Sequence, residues 1–105
     1  KVIFFNEIKK LSDAFNLNYD IMLEAVIADE RIGNSHWQVP GFDGDYGFGG
    51  TCFPKDVNAL IRMMELKGIN AEVLKAVWNQ NKKYRMHWDW SENKSAVMLE
   101  ECNVR

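Results

Sequence analysis

Six of the seven glycines of this 105-residue chain lie in one stretch, between Gly33 and Gly50. Glycine is unfavourable inside a helix or a strand, so the chain is predicted to be irregular over residues 30–51. The stretch also contains four aromatic side chains, and a flexible linker is rarely so aromatic. An ordered loop of roughly twenty residues within a small domain is usually functional. Regular secondary structure is therefore expected only before and after this loop.

Before the loop, apolar residues recur every three or four positions: Phe4, Ile8, Leu11 and Phe15. This spacing predicts an amphipathic helix over residues 2–15 with that face towards the core. Asn18 is a suitable cap for a second helix over residues 19–29. The residues of the second helix predicted to face the core are Ile21, Val26 and Ile27.

After the loop, the sequence predicts two further helices. The first is expected to begin around Pro54, because proline is favoured in the first turn, and to end near Gly68. Its predicted apolar face consists of Val57, Leu60, Ile61 and Met64. Asn70 is expected to cap the next helix, which should continue to about residue 87 or 88. One face of that helix carries Val73, Val77, Asn81 and Tyr84, and the neighbouring face carries Leu74, Trp78 and Arg85.

The remaining segment has the form of one more short helix. Asp89 and Glu92 have the spacing of a capping box, which predicts a helix over residues 92–101. Because this segment also contains Trp88 and Trp90, residues 88–105 are expected to cover otherwise exposed helix faces. No segment alternates between apolar and polar residues as a strand would, so the predicted class is all-α, with about five helices in a single domain over residues 1–105.

Composition excludes several classes of protein. The net charge is -2, so there is no basic surface to indicate nucleic acid as a partner. The longest apolar runs are too short for a membrane span or a signal peptide, and we expect a cytoplasmic protein. Cys52 and Cys102 are too isolated to predict a disulfide framework or a zinc site, and both are expected to be free thiols. His36 and His87 are interpreted as surface or packing residues, so no metal site is predicted.

The chemically informative segment is residues 47–56, which read GFGGTCFPKD. Glycines permit a tight turn and close approach of a ligand, and the helix that follows offers free amides and the positive end of its dipole to Cys52. Together with nearby Lys55, this position favours the thiolate form of a cysteine, so Cys52 is a candidate nucleophile. Asp56, one turn later, is a candidate proton acceptor. The alternative interpretation is that Cys52 is a small, buried packing residue.

The decapeptide resembles the active-site signature of the nucleotide-sugar dehydrogenase family, GFGGSCFPKD, with Thr51 in place of serine. DERIG at residues 29–33 is similar to the family's DxRIG segment, and FNE at residues 5–7 is similar to its FNE segment. Asn81 and the pair Tyr84 and Arg85 resemble the helix that leads to the family's second nucleotide domain. The resemblance covers roughly residues 1–85 and identifies the chain with the family's central, dimer-forming domain.

The resemblance implies a two-step oxidation of a sugar primary alcohol to a carboxylate with two molecules of NAD. A cysteine holds the aldehyde-level intermediate as a thiohemiacetal, a second oxidation gives a thioester, and water releases the acid. The expected substrate is UDP-glucose, with GDP-mannose or another nucleotide sugar as the alternative.

The resemblance also implies a role for six residues. Cys52 would be the nucleophile and Asp56 would assist water or proton transfer. Arg31 would reach across a homodimer to the substrate of the partner subunit; its alternative role is a helix-end cation paired with Asp29 or Glu30. The other residues implied to bind substrate are Gly49, Phe53 and Lys55.

The chain departs from the family pattern at two places. The NAD-binding domain and the carboxy-terminal nucleotide domain are absent from these 105 residues, so the chain alone is expected to be inactive. The loop over residues 38–46 is longer than usual and carries Asp43 and Asp45, which would repel a diphosphate unless they face solvent or hold a cation. We expect them to face solvent. A non-catalytic helical interaction module that retains the motif remains the alternative function.

Overall fold

The computed structural model describes residues 1–92, which form four α-helices and two short 3-10 helices and contain no strand. The α-helices are α1 (Val2–Ala14), α2 (Tyr19–Ile27), α3 (Cys52–Leu66) and α4 (Glu72–Tyr84). The 3-10 helices are Glu30–Ile32 and Asp89–Glu92. The all-α class is confirmed, whereas the helix predicted over residues 92–101 extends outside the described residues.

The local signals located the helix ends with mixed success. Asn18 caps α2 as predicted, because its side chain accepts a hydrogen bond from the Ile21 amide at 3.1 Å. Gly68 follows α3 with a φ of 76°, as expected after a helix end. The predicted cap of α4 is wrong: Ala71, not Asn70, is the N-cap residue, and it makes no side-chain hydrogen bond. The predicted C-terminal end of α4 is also wrong, because Arg85 leaves the helix in an extended conformation.

Apolar side chains form two separate clusters. The first core lies between α3, α4 and the second 3-10 helix, and its buried residues are Ile61, Ala71, Trp78 and Trp90. The second core lies between α1, α2 and the loop, and its buried residues are Phe5, Tyr19, Leu23 and Val39. Trp90 is completely buried, with its ring centroid 4.9 Å from that of Trp78. The residues just after α4 therefore cover the first core, which is part of the role expected for residues 88–105.

The face that periodicity assigned to the core of α1 is largely exposed. Phe4, Leu11 and Phe15 are more than half exposed, whereas Phe5, Asn6 and Ser12 on other faces are buried. In α2, Ile21 is likewise exposed, and the predictions for Leu60 in α3 and Val73 in α4 are wrong for the same reason. Periodicity identifies an apolar face, but it does not decide which surface covers that face. Here the loop packs against Phe5 and Asn6 of α1 instead.

Side chains from α1, α2 and α4 hold the loop over residues 33–51 in place. Asn6 accepts a hydrogen bond from the Gly47 amide at 2.9 Å. Asn81 makes two bonds to Phe48, accepting from its amide at 2.7 Å and donating to its carbonyl at 2.9 Å. The Tyr19 hydroxyl donates to the Trp37 carbonyl at 2.6 Å. A loop has no strand ladder or helix to provide hydrogen bonds for its backbone N–H and C=O groups, so these side chains provide them instead.

The buried guanidinium of Arg85 organises the acidic half of the loop. It donates to Asp43 at 2.8 Å and lies 3.5 Å from a carboxylate oxygen of Asp45. Asp45 also accepts hydrogen bonds from the amides of Met86 and His87, each at 3.0 Å. The expectation that these carboxylates face solvent is wrong for Asp45, whose side chain is only 13% exposed, whereas Asp43 is exposed and pairs with Arg85 as well. They hold a cation, and that cation belongs to the protein itself.

Both carboxylates are favoured in their ionised form. Burial opposes ionisation of Asp43, but the hydrogen bond and charge of Arg85 and the amide of Asp45 outweigh it, so the pKa of Asp43 is lowered. Burial likewise opposes ionisation of Asp45, but the amides of Met86, Tyr46 and His87, together with Arg85, lower its pKa. The folded chain therefore stabilises two carboxylates that the unfolded chain leaves in water.

Gly47 is predicted to be intolerant of a side chain. A Cβ atom there would lie 2.2 Å from the buried Oδ1 of Asn81, and the φ of Gly47 is 62°. Gly47→Ala should lower the free energy of unfolding by about 2–4 kcal/mol, measured by urea denaturation. Gly44 is the matched control, because its φ is 81° and it has open space around it; Gly44→Ala should cost only about 1 kcal/mol. Equal losses in the two variants would contradict the close fit between Gly47 and Asn81.

Stability should depend on pH through Asp43 and Asp45. Because their folded-state pKa values are lowered, their contribution is present above the unfolded value of about 3.9 and is lost as pH falls through the folded values. Asp45→Asn should reduce stability at pH 7 by about 2 kcal/mol and should flatten the loss of stability below pH 4. Thermal unfolding between pH 7 and pH 2.5 measures both effects. Glu24→Gln, on an exposed position of α2, is the control and should leave the acid limb unchanged.

Candidate functional site

Cys52 is the first residue of α3 and directly follows the glycine-rich turn. Its thiol is free and the residue is exposed, which excludes the alternative that it is a buried packing residue. Thr51, the N-cap residue, makes no side-chain hydrogen bond to the helix. Of the first three residues of α3, Cys52 and Phe53 have amides that the Thr51 side chain does not cap, and Pro54 has no N–H.

The thiol opens on a cavity of about 650 Å³ between the loop and the start of α3. Two segments of the loop form most of its wall, residues 34–38 and residues 47–50, and the remaining lining residues are Val2, Gly41, Phe42, Asp43, Cys52, Phe53 and Asp89. None of these lining residues is a lysine or an arginine. The wall combines aromatic rings, backbone groups and two carboxylates, a surface suited to a neutral polar ligand group.

Aromatic rings connect the cavity to the first core. The ring of Phe53 lies 5.7 Å from that of His36 and 5.8 Å from that of Phe48, measured between centroids. Phe48 in turn lies 6.2 Å from Trp78 in the core. Phe42, by contrast, is fully exposed at the edge of the cavity. One side of the cavity is therefore fixed by core packing and the other is open.

The glycines of the motif make room for α4 and the segment after it. A Cβ atom on Gly49 would lie 2.1 Å from Nη2 of Arg85 and 2.6 Å from Oδ1 of Asp89. The Gly50 amide donates to both carboxylate oxygens of Asp89 at 2.9 Å. Arg85 and Asp89 thus lie directly against the backbone that leads to Cys52.

Three of the six residues predicted for the site come together. Gly49, Cys52 and Phe53 line the cavity, whereas Arg31, Lys55 and Asp56 are not among its lining residues in the described part of the chain. Lys55 and Asp56 are exposed and form an ion pair at 3.3 Å. Asp56 is four residues after Cys52, which places both on the same face of α3.

Arg31 lies on the surface beside the first 3-10 helix. Its side chain is 87% exposed and pairs with Asp29 at 2.6 Å. The hydrogen bonds from Arg31 lower the pKa of Asp29. The contact with Asp29 is the one that the alternative interpretation of Arg31 anticipated, and it leaves the rest of the guanidinium open to solvent.

Sequence reasoning did not anticipate how Asn6, Asn81 and Asp89 hold the loop. The sequence does carry a signal for Asn6 and Asn81. Each is a polar residue next to a large apolar residue on a helix face, and a polar group buried there needs a hydrogen-bond partner. Asp89 was interpreted as half of a capping box, but its carboxylate binds the Gly50 amide.

Residues 1–92 contain neither a cluster suited to a metal ion nor a membrane-spanning helix. No group of three or more His, Cys, Asp or Glu side chains there is arranged to hold a metal ion. None of the helices described is both long enough and apolar enough to span a bilayer.

Comparison with known proteins identifies the domain. Residues 1–83 match the model of the UDP-glucose/GDP-mannose dehydrogenase family, central domain. The chain is 37% identical over 82 residues to UDP-glucose 6-dehydrogenase of Rickettsia felis, covering 78% of this chain and 17% of that protein. It is 37% identical over 81 residues to the Pseudomonas aeruginosa UDP-glucose 6-dehydrogenase, covering 77% of this chain and 17% of the relative.

A putative UDP-glucose 6-dehydrogenase of Bacillus subtilis is 30% identical over 107 residues, covering 94% of this chain and 24% of that protein. This similarity extends past Arg85, further than the sequence motifs do. No solved structure matches the chain. The chain spans less than a quarter of the length of each of these three relatives. The family match over residues 1–83, with the exposed cysteine of the GFGGTCFPKD segment opening on a cavity, shows that this chain belongs to the UDP-glucose/GDP-mannose dehydrogenase family and corresponds to its central domain.

Proposed function

We propose that this domain supplies the nucleophile, part of the sugar-binding pocket and the dimer contact of an enzyme that oxidises UDP-glucose to UDP-glucuronate with NAD. The observation that carries the proposal is the exposed Cys52 thiol at the start of α3, opening on a cavity of about 650 Å³. The relatives named UDP-glucose 6-dehydrogenase favour UDP-glucose over GDP-mannose as the substrate.

In the proposed reaction Cys52 holds the intermediate covalently. Its thiolate adds to the carbonyl carbon of the aldehyde-level intermediate. After oxidation of the adduct, water attacks the thioester carbon and Cys52 leaves as the thiolate. Within residues 1–92 the cavity wall contains no lysine or arginine, which supports binding of the uncharged sugar, rather than the diphosphate, beside the thiol.

The remaining residues have supporting roles in the proposal. Asp56 lies on the same helix face as Cys52 and would accept or orient the proton of the attacking water. Gly49 and Phe53 would contact the sugar, and the flexible cation of Lys55 would contact the substrate from outside the cavity. NAD would supply the hydride acceptor, and none of the residues described is assigned to holding it.

We further propose that the exposed face of α1 forms a homodimer. Phe4, Leu11 and Phe15 share this face, and Leu17 and Ile21, which follow α1 in the sequence, are also exposed. An apolar surface of this kind on a small domain marks an interaction site. Arg31 would then serve the partner's cavity, in keeping with a guanidinium that is exposed and does not line the cavity of its own chain.

Cys52 should alkylate much faster than Cys102. At neutral pH we expect a rate with iodoacetamide about tenfold above that of Cys102, because the exposed thiol of Cys52 lies at the start of α3. Site-resolved mass spectrometry measures the two rates in one sample, and Cys52→Ser confirms the assignment of the fast label. Equal, slow rates would contradict the enzymatic proposal and favour a non-catalytic interaction module.

The chain should be a dimer in solution, and a charge on α1 should separate the subunits. Light scattering over a range of protein concentrations is expected to give twice the monomer mass for the wild type and the monomer mass for Phe15→Glu. Leu66→Glu is the matched control, since Leu66 is equally exposed but lies on α3, and it should remain dimeric. A folded wild-type monomer at all concentrations would remove the basis for placing Arg31 across an interface.

A further inference from the structure

Asp89 holds the backbone of the turn that leads to Cys52 through side-chain hydrogen bonds. Both of its carboxylate oxygens accept from the Gly50 amide at 2.9 Å, two residues before Cys52. Asp89 also lines the same cavity as the thiol. It follows α4 and lies beyond the residues matched by the family model, which end at residue 83.

The carboxylate of Asp89 is itself held in a fixed position. Nη2 of Arg85 lies 3.4 Å from its Oδ1, and the Arg85 side chain is only 2% exposed. The Arg85 Nε donates to the His87 carbonyl at 3.1 Å, which fixes the guanidinium relative to the segment that carries Asp89. The next residue, Trp90, is completely buried against Trp78. Asp89 is therefore positioned from both sides, by an ion pair and by core packing.

Gly50 lies between two restrained parts of the turn, Phe48 on one side and the start of α3 on the other. Gly50 has a φ of 76° and open space around it, and the Thr51 side chain does not cap α3. Gly49 is packed against the pair of Arg85 and Asp89. The bond to Asp89 thus holds the Gly50 peptide between Phe48, which Asn81 binds, and the start of α3.

We propose that Asp89 is a positioning residue for Cys52. Held by Arg85, its carboxylate fixes the Gly50 amide, and this sets where α3 begins and how its first residue faces the cavity. The inference rests on the proposed function of Cys52 as a nucleophile. Asp89 itself does not bond to the reacting atoms, and its negative charge opposes a neighbouring thiolate rather than supporting it.

Because the charge of Asp89 and its positioning role would have opposite effects on Cys52, the two can be distinguished by experiment. If only charge mattered, Asp89→Ala would speed alkylation of Cys52, because an anion beside the thiolate is removed. If position matters, Asp89→Ala slows alkylation several-fold, because the thiol loses its fixed place at the helix start. Asp89→Asn keeps an acceptor for the Gly50 amide and should react at least as fast as the wild type. Asp89→Glu keeps the charge but displaces it by one methylene, and should be slow.

The experiment measures iodoacetamide labelling of Cys52 by mass spectrometry, and amide hydrogen exchange of residues 50–53 by NMR, in the complete 105-residue chain. Exchange at Gly50 is expected to rise about tenfold or more in Asp89→Ala. Glu92→Ala is the matched control, since Glu92 is an exposed acid in the same 3-10 helix, and it should change neither readout. If Asp89→Ala does not fold, the comparison of Asp89→Asn with Asp89→Glu decides the question.

The outcomes separate this inference from the proposed function. Slow labelling and fast Gly50 exchange in Asp89→Ala or Asp89→Glu, with normal behaviour of Asp89→Asn, support positioning. Wild-type labelling and wild-type exchange in folded Asp89→Ala and Asp89→Glu overturn it. A wild-type Cys52 that reacts no faster than Cys102 contradicts the nucleophile, and the Gly50 exchange of the same variants then decides whether Asp89 fixes the turn.

Discussion

The guanidinium of Arg85 is the interaction on which the arrangement of the site depends. It is buried, and the carboxylates of Asp43, Asp45 and Asp89 surround it. A buried cation is tolerable only when its donors are paired, and a planar fork with five N–H groups can serve several carboxylates at once, as a lysine could not. Asp43 and Asp45 bring the acidic half of the loop to the end of α4, and Asp89 brings the turn before α3 to the same place. One side chain thus links the two parts of the loop that border the cavity.

The rest of the loop follows the same principle of side chains satisfying backbone groups. Asn6 and Asn81 bind Gly47 and Phe48 from opposite helices, in a region where water has little access. These contacts explain why Gly47 and Gly49 are glycines: there is no space for a side chain at either position. A side chain on Gly47 would meet Asn81, and one on Gly49 would meet Arg85. The backbone must approach both helices closely, because an amide cannot otherwise reach the side chains that bind it.

The cavity lies where the two apolar cores meet the loop, and this position gives it one rigid side. Phe53 and Phe48 continue the first core through Trp78, while Trp37 belongs to the second core and is held by Tyr19. Burial raises the pKa of Tyr19 to about 12, so its hydroxyl remains a donor at all physiological pH values. Cys52 therefore sits on a helix anchored by one core and faces a loop anchored by the other. A thiol presented in this way has a defined place without being buried.

The sequence alone determined the all-α class, the capped start of α2, the irregular loop and the cysteine at the head of α3, because caps, glycines and helical spacing are local properties of the chain. It also identified the family, through three short segments in the correct order. Only the tertiary structure decided which faces are buried, since an apolar face such as that of Phe4, Leu11 and Phe15 has the same periodicity whether its own chain covers it or not. The same holds for Asp43 and Asp45. Whether a loop carboxylate pairs with a buried cation depends on Arg85, some forty positions away in the sequence. The local sequence around the carboxylate does not show that Arg85 is close to it in the fold.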